Sequence, residues 1–121
     1  MPRQLMRILI VEDFPAIAAA MKVFVRTLGH EAMAVGTAAE ALELLERYQF
    51  ALLISDIGLP GCDGWELLRQ VRQRWPVRAI AVSARVEPED REKSRTAGFE
   101  AHLAKPVDLN QLAQWVARVS E

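Results

Sequence analysis

Residues 6–13 read MRILIVED. Apart from Arg7, the run 6–11 is apolar on both faces of an extended chain, and two acids follow it at once. The plan recurs twice: FALLIS at 50–55 leads into Asp56, and AIAVS at 79–83 ends on a hydroxyl. A strand with one wet face alternates apolar and polar residues, whereas a strand covered by helices on both faces reads as a nearly continuous apolar run. These three runs are of the second kind. Glu31–Val35 and Ala101–Ala104 are weaker, and read as a strand nearer the sheet edge and a short strand.

Helical patterns lie between them. Ile17, Ala20, Met21, Phe24 and Leu28 recur at helical spacing until Gly29 stops the run. Thr37, with Glu40 three residues on, makes a capping box ahead of an apolar stripe of Ala41, Leu44, Leu45 and Tyr48. Trp65, Leu68, Val71, Arg72 and Trp75 trace a third helix that ends before Pro76. Asp108 can cap a fifth, carrying Leu109, Leu112, Ala113, Val116 and Val119. The fourth, PEDREKSRTA at 88–97, has almost no apolar face, so it can bury little and is expected to be the least firmly held. Five strand–helix alternations predict an α/β fold: a doubly wound, five-stranded parallel sheet with helices on both faces and right-handed crossovers.

The composition agrees. A chain of 121 residues suits one domain, 1–121, and can bury a core without disulfides or a structural metal. Hydrophobic residues at 51% and charged residues at 26% are a folded, not a disordered, balance. A formal net charge of −1 provides no global attraction to nucleic acid or an anionic membrane. The one cysteine, Cys62, excludes an internal disulfide framework and fits a reducing compartment. No apolar run reaches the length of a membrane span, and Met1 to Leu5 contain no small-residue cleavage site, so the expected location is the cytoplasm.

In sheets of this kind the ligand site lies outside the carboxyl ends of the strands, where the strand order switches. There the chain places Glu12-Asp13 after the first strand, Asp56 after the third, Ser83-Ala84 after the fourth and Lys105-Pro106 after the fifth. Clustered carboxylates repel one another and raise each other's pKa. A hard divalent cation resolves this: Mg²⁺ takes oxygen ligands, typically one or two carboxylates plus phosphate. Three carboxylates, one divalent cation and the Lys105 ammonium make a formally neutral site. With a carboxylate nucleophile and a hydroxyl donor, such a site suits phosphoryl transfer, in which the protein mainly positions groups and stabilises charge.

Four segments, ILIVED at 8–13, SDIGLPGCDG at 55–64, AVSA at 81–84 and GFEAHLAKP at 98–106, occur in the order and spacing of one family. Over about Arg7 to Val119 the chain resembles the response-regulator receiver domains of two-component systems, and His102 resembles those fused to hybrid histidine kinases. The resemblance implies a flavodoxin-like strand order 2-1-3-4-5. It implies Asp56 as phosphoryl acceptor from a histidine kinase or histidine phosphotransfer protein. It implies Mg²⁺ held by Asp13, Asp56, the Gly58 backbone carbonyl and, through water, Glu12. Ser83 would hydrogen-bond the phosphoryl group, Lys105 would pair with it, and the Lys105–Pro106 bond would be cis. Phosphorylation would draw Ser83 inward, an aromatic residue on the fifth strand would follow, and the surface of the fourth helix, fifth strand and fifth helix would change for a downstream protein target.

Three departures from the common pattern matter. The aromatic position holds His102, an imidazole that titrates near neutral pH, so a modestly pH-sensitive switch is expected. Gly58 has no side chain to shield an acyl phosphate, while Arg85 could cover it; these oppose each other and leave its lifetime open. A monomer, or a weak dimer linked to phosphorylation, is expected.

Each residue also has a plainer reading. Asp56 could be a turn acid, and Glu12-Asp13 could simply cap the first helix. His102 could be a packed imidazole, and Cys62 an ordinary loop cysteine. Trp65 and Trp75 read as packing, while Trp115 reads as packing or as a partner anchor. Arg69, Arg72, Arg74 and Arg78 read as a solvated face, with no direct nucleic-acid binding. Gly61 and Gly64 form no nucleotide-binding loop. The main competing function is a phosphorylation-independent adapter of the same fold, although an intact acid pair, acceptor, hydroxyl and lysine speak against it. A phosphatase would want an acid where Gly58 stands, and a flavin protein a phosphate-cradling loop where Glu12-Asp13-Phe14-Pro15 stands. No separate substrate is expected to be turned over.

Overall fold

The structure, a computed structural model, describes residues 4–121. The reading of the extreme N-terminus therefore falls partly on residues 1–3, outside the described residues. The elements run β1 (Arg7–Val11), α1 (Pro15–Thr27), β2 (Glu31–Val35), α2 (Ala38–Arg47), β3 (Leu52–Asp56), α3 (Gly64–Arg74), β4 (Arg78–Ser83), α4 (Pro88–Ala97), β5 (Ala101–Ala104) and α5 (Leu109–Val119). All strand pairs are parallel and the order is β2-β1-β3-β4-β5. The two weakly apolar runs are the sheet's edges, and the three continuous ones are its middle.

Alternation along each strand divides the core in two. Leu9, Val11, Leu53, Ala79 and Ala81 face α2 and α3. Ile8, Ile10, Ile54, Ile80 and Val82 face α1 and α5. Each fully buried aliphatic side chain contributes about 1.5–3 kcal/mol relative to exposure. The Thr37 cap forms as expected: its hydroxyl oxygen accepts from the Glu40 amide at 3.1 Å and donates to the Glu40 carboxylate at 2.9 Å. Asp108 accepts from the amides of Asn110 and Gln111.

Four stripes differ from the sequence reading. In α3 Leu67 is buried, Arg72 is exposed and Trp75 stands beyond the helix as its C-cap. In α1 the buried residues are Ala18, Met21 and Val25, while Ala20 is exposed. This helix, PAIAAAMKVFVRT, is apolar nearly all round, so periodicity does not select its face; docking on the sheet does. Tyr48 lies beyond α2 as its C-cap, exposed, with the Arg7 guanidinium 5.1 Å from its ring. Leu109 is likewise exposed. The pure capping reading of Glu12-Asp13 also fails. The N-cap of α1 is Phe14, with no side-chain cap and Pro15 at the first turn, where a missing N–H costs nothing. The sparse fourth helix behaves as its composition demands: Ser94 is its one buried residue.

Candidate functional site at the sheet switch point

Strand order reverses between β1 and β3, which opens a crevice at their carboxyl ends. Glu12 and Asp13 follow β1, Asp56 ends β3, Ser83 ends β4 and Lys105 follows β5. Parallel register brings these distant positions to one rim.

Carboxylate oxygens of Glu12, Asp13 and Asp56 lie within 4.8 Å of one another. Glu12 and Asp56 are buried, at 3% and 8% exposure, and Asp13 is exposed. The Lys105 ammonium donates to Glu12 Oε1 at 2.6 Å and to Asp56 Oδ2 at 2.9 Å. Burial alone would lower the lysine's pKa, but hydrogen bonds and charge from Glu12 and Asp56 outweigh it and hold the ammonium above its ordinary value. The other oxygens are oriented by backbone: Glu12 Oε2 accepts from the Phe14 amide at 3.0 Å, and Asp56 Oδ1 from the Gly58 amide at 3.1 Å. One cation faces three acids, so the cluster retains net negative charge, and its donors are all hard oxygen. That donor set fits a divalent cation such as Mg²⁺.

The Ser83 hydroxyl is 1% exposed and accepts from the Arg85 amide at 2.9 Å. The backbone ties it to the lysine, because the Lys105 amide donates to the Ser83 carbonyl at 2.9 Å. The Lys105–Pro106 peptide is cis. His102, on β5 opposite Ala81, makes no direct hydrogen bond to Ser83. Its ring bonds the Ser94 hydroxyl at 2.7 Å and the Arg85 carbonyl at 2.6 Å.

One contributor went unrecognised in the sequence. Gly64 is buried, and a Cβ there would come within 2.3 Å of the Asp56 carbonyl oxygen and 2.9 Å of Ile57 Cα. Its amide donates to the Ile57 carbonyl at 2.8 Å. The loop after β3 thus folds back so closely that only hydrogen fits, and this fixes the backbone that carries Asp56. At Gly58, by contrast, a Cβ would meet nothing within 4 Å, so space does not demand glycine there. Cys62 is half-buried, and burial, followed by the charges of Asp63 and Glu66, pushes its thiol pKa up, the opposite of a reactive thiolate.

The class is that of doubly wound α/β domains with acids and a lysine converging on the switch point of the sheet. The chain belongs to the response regulator receiver domain family, whose model matches residues 8–117. It is 37% identical over 92% of its length to an uncharacterized 14.6 kDa protein of Leptolyngbya boryana, 87% of which is covered. It is 35% identical over 93% of its length to the sensor protein TorS of Escherichia coli, but spans only 12% of that protein. The structure of a CheY-like response regulator receiver domain protein from Methanospirillum hungatei superposes with a TM-score of 0.87 at 34% identity, covering 95% of this chain and 93% of that one. Relatives thus include response regulators and receiver domains of hybrid sensor kinases.

Proposed function

We propose that Asp56 accepts a phosphoryl group from a phosphohistidine on a histidine kinase or histidine phosphotransfer protein. The observation that carries this is the buried Asp56 carboxylate clustered with Glu12 and Asp13 and bonded by Lys105. An Asp56 oxygen attacks phosphorus, the new P–O bond forms as the P–N bond breaks, and the imidazole leaves with its electron pair. Lys105 pairs with the incoming charge, and the Ser83 hydroxyl, already accepting from Arg85, keeps its proton to donate to a phosphoryl oxygen. Asp13, Asp56, the Gly58 carbonyl and, through water, Glu12 would hold Mg²⁺, which supplies charge neutralisation for the transferring group. Water later cleaves the acyl phosphate, so the chain acts on itself and turns over no separate substrate.

Output then passes through α4, β5 and α5 to a protein target. The four arginines noted in the sequence support no role in nucleic-acid binding. Arg69 pairs with Glu66, Arg74 with Glu46 and Arg78 with Glu100, and Arg72 donates to the Gly98 carbonyl. Among the described residues no helix is long and apolar enough to cross a membrane. A cytoplasmic domain, monomeric or weakly dimerising on phosphorylation, is the corresponding reading, either free-standing or within a longer chain.

Intact-protein mass spectrometry after acetyl phosphate treatment tests the chemistry. One added phosphoryl group is expected, dependent on Mg²⁺ and lost in Asp56→Asn. If neither an adduct nor binding of beryllofluoride with Mg²⁺ is seen, the domain is instead a phosphorylation-independent adapter.

A further inference from the structure

The polar helix α4 buries one side chain, and that side chain is a serine. Ser94 is 1% exposed and Trp65, facing it from α3, is 5% exposed. The Trp65 indole N–H donates to Ser94 Oγ at 2.8 Å. Ser94 Oγ lies 2.7 Å from His102 Nδ1, and His102 Nε2 lies 2.6 Å from the Arg85 carbonyl oxygen. The Arg85 amide in turn donates to Ser83 Oγ at 2.9 Å.

Donor chemistry gives this series one direction. A carbonyl only accepts, so His102 Nε2 carries a proton. In a neutral imidazole Nδ1 then accepts, so the Ser94 hydroxyl donates to it. An indole only donates, so Ser94 receives the Trp65 N–H on a lone pair. Ser94 and His102 each accept from behind and donate onward, so the bonds from Trp65 to the Arg85 carbonyl polarise one another cooperatively. The Arg85 amide, on the other peptide unit of that residue, carries the last step to Ser83 through backbone position. The far end is firmly set, because Trp65 follows Gly64, whose amide is bound to the Ile57 carbonyl beside Asp56. The near end is the hydroxyl that would meet the phosphoryl group.

We propose that Ser94 is a positioning residue: with Trp65 it sets the ring of His102, and through it the Arg85–Ser83 segment, so that displacement of the Ser83 hydroxyl is relayed to α4 and Trp65. Burial of a serine and an indole N–H in this way is costly unless both are satisfied, and here each satisfies the other. The consequence is specific. When Ser83 turns toward a phosphoryl group, its bond from Arg85 is drawn with it, the imidazole follows the Arg85 carbonyl, and the Ser94–His102 bond is the link to α4 that changes. Trp65 also has Arg85 and Lys93 cations over its ring, 5.7 Å and 5.1 Å from the centroid, so it sits where that movement is felt.

The inference rests on the phosphoacceptor reading, and the test separates the two. The full chain is loaded with Mg²⁺ and beryllofluoride. Fluorine NMR reports whether the site is filled, and the Trp65 indole ¹H–¹⁵N resonance, assigned by its loss in Trp65→Phe, reports the relay. The expected result is a Trp65 resonance that shifts on loading in the wild type and stays in place in Ser94→Ala, whose fluorine signals still show a filled site. Alanine is the best helix former, so this variant retains α4. A filled wild-type site with an unmoved Trp65 resonance overturns the relay alone, as does an equal shift in Ser94→Ala. Absence of bound fluorine signals in the wild type overturns the phosphoacceptor reading and the relay with it.

Discussion

The helices α3 and α4 follow adjacent strands and flank the same site, yet they are held in opposite ways. α3 buries Gly64, Trp65, Leu67, Leu68 and Val71, and its first residue is pressed against the backbone of Asp56. α4 buries Ser94, packs Ala97 against the core, and is otherwise attached through polar links, including Arg91 to the His102 carbonyl at 3.0 Å. Dispersion and hydrophobic contacts fall off over fractions of an ångström, so a helix embedded in them has one place to sit. A helix held by a few hydrogen bonds can exchange them for others at little cost. α3 therefore backs the Asp56 segment with fixed packing, whereas α4 is held largely by contacts that can be exchanged.

The largest effect that could break this contrast is in the core under α3. Leu68 is fully buried, and Leu68→Ala should lower unfolding free energy by about 3 kcal/mol in urea titration. A cost near zero would mean that α3 is not the fixed partner. Next, Gly64→Ala should cost about 2 kcal/mol, because its Cβ meets backbone and not a flexible side chain. It should also reduce Asp56 phosphorylation by acetyl phosphate. Stability lost with phosphorylation intact would separate the close approach from the placing of Asp56.

A smaller effect is electrostatic. The Glu100 carboxylate is held below its ordinary pKa, first by its hydrogen bond from Arg78 and then by nearby cationic charge, against the opposing effect of burial. A depressed folded pKa stabilises above the unfolded value of about 4.3 and is lost as pH falls through the lower folded value. Arg78 is 45% exposed, so screening keeps the contribution to about 0.5 kcal/mol. Arg78→Ala should therefore flatten the acid limb of a stability–pH curve, and an unchanged limb would show that the pair adds nothing. The smallest effect belongs to α4. Thr96 is exposed, and Thr96→Ala should alter stability by no more than about 0.5 kcal/mol in either direction. A loss as large as that of Leu68→Ala would erase the difference between the two helices.

Much of this is legible in the residues. The nearly continuous apolar runs identify MRILIV, FALLIS and AIAVS as interior strands, because strands covered on both faces can be so apolar, and they occupy the middle of the sheet. The rule that ligands gather at the carboxyl ends of such strands then brings Glu12, Asp13, Asp56, Ser83 and Lys105 to one rim. The poverty of PEDREKSRTA in apolar residues likewise foretells a helix that buries almost nothing.

Other features have no local signal. The alanine-rich α1 offers several equivalent faces, and the sheet chooses the one through Ala18, Met21 and Val25. Gly64 looks like any loop glycine until the chain turns back on Asp56. Ser94, one of two hydroxyls in a polar helix, acquires meaning only when α3 sets an indole on one side of it and β5 an imidazole on the other. Sequence determines what is set by local pattern, namely which segments are strands and helices and which chemistry stands at their ends. Tertiary structure alone decides which faces and which hydrogen-bond partners are used, because these depend on atoms far apart along the chain meeting at contact distance.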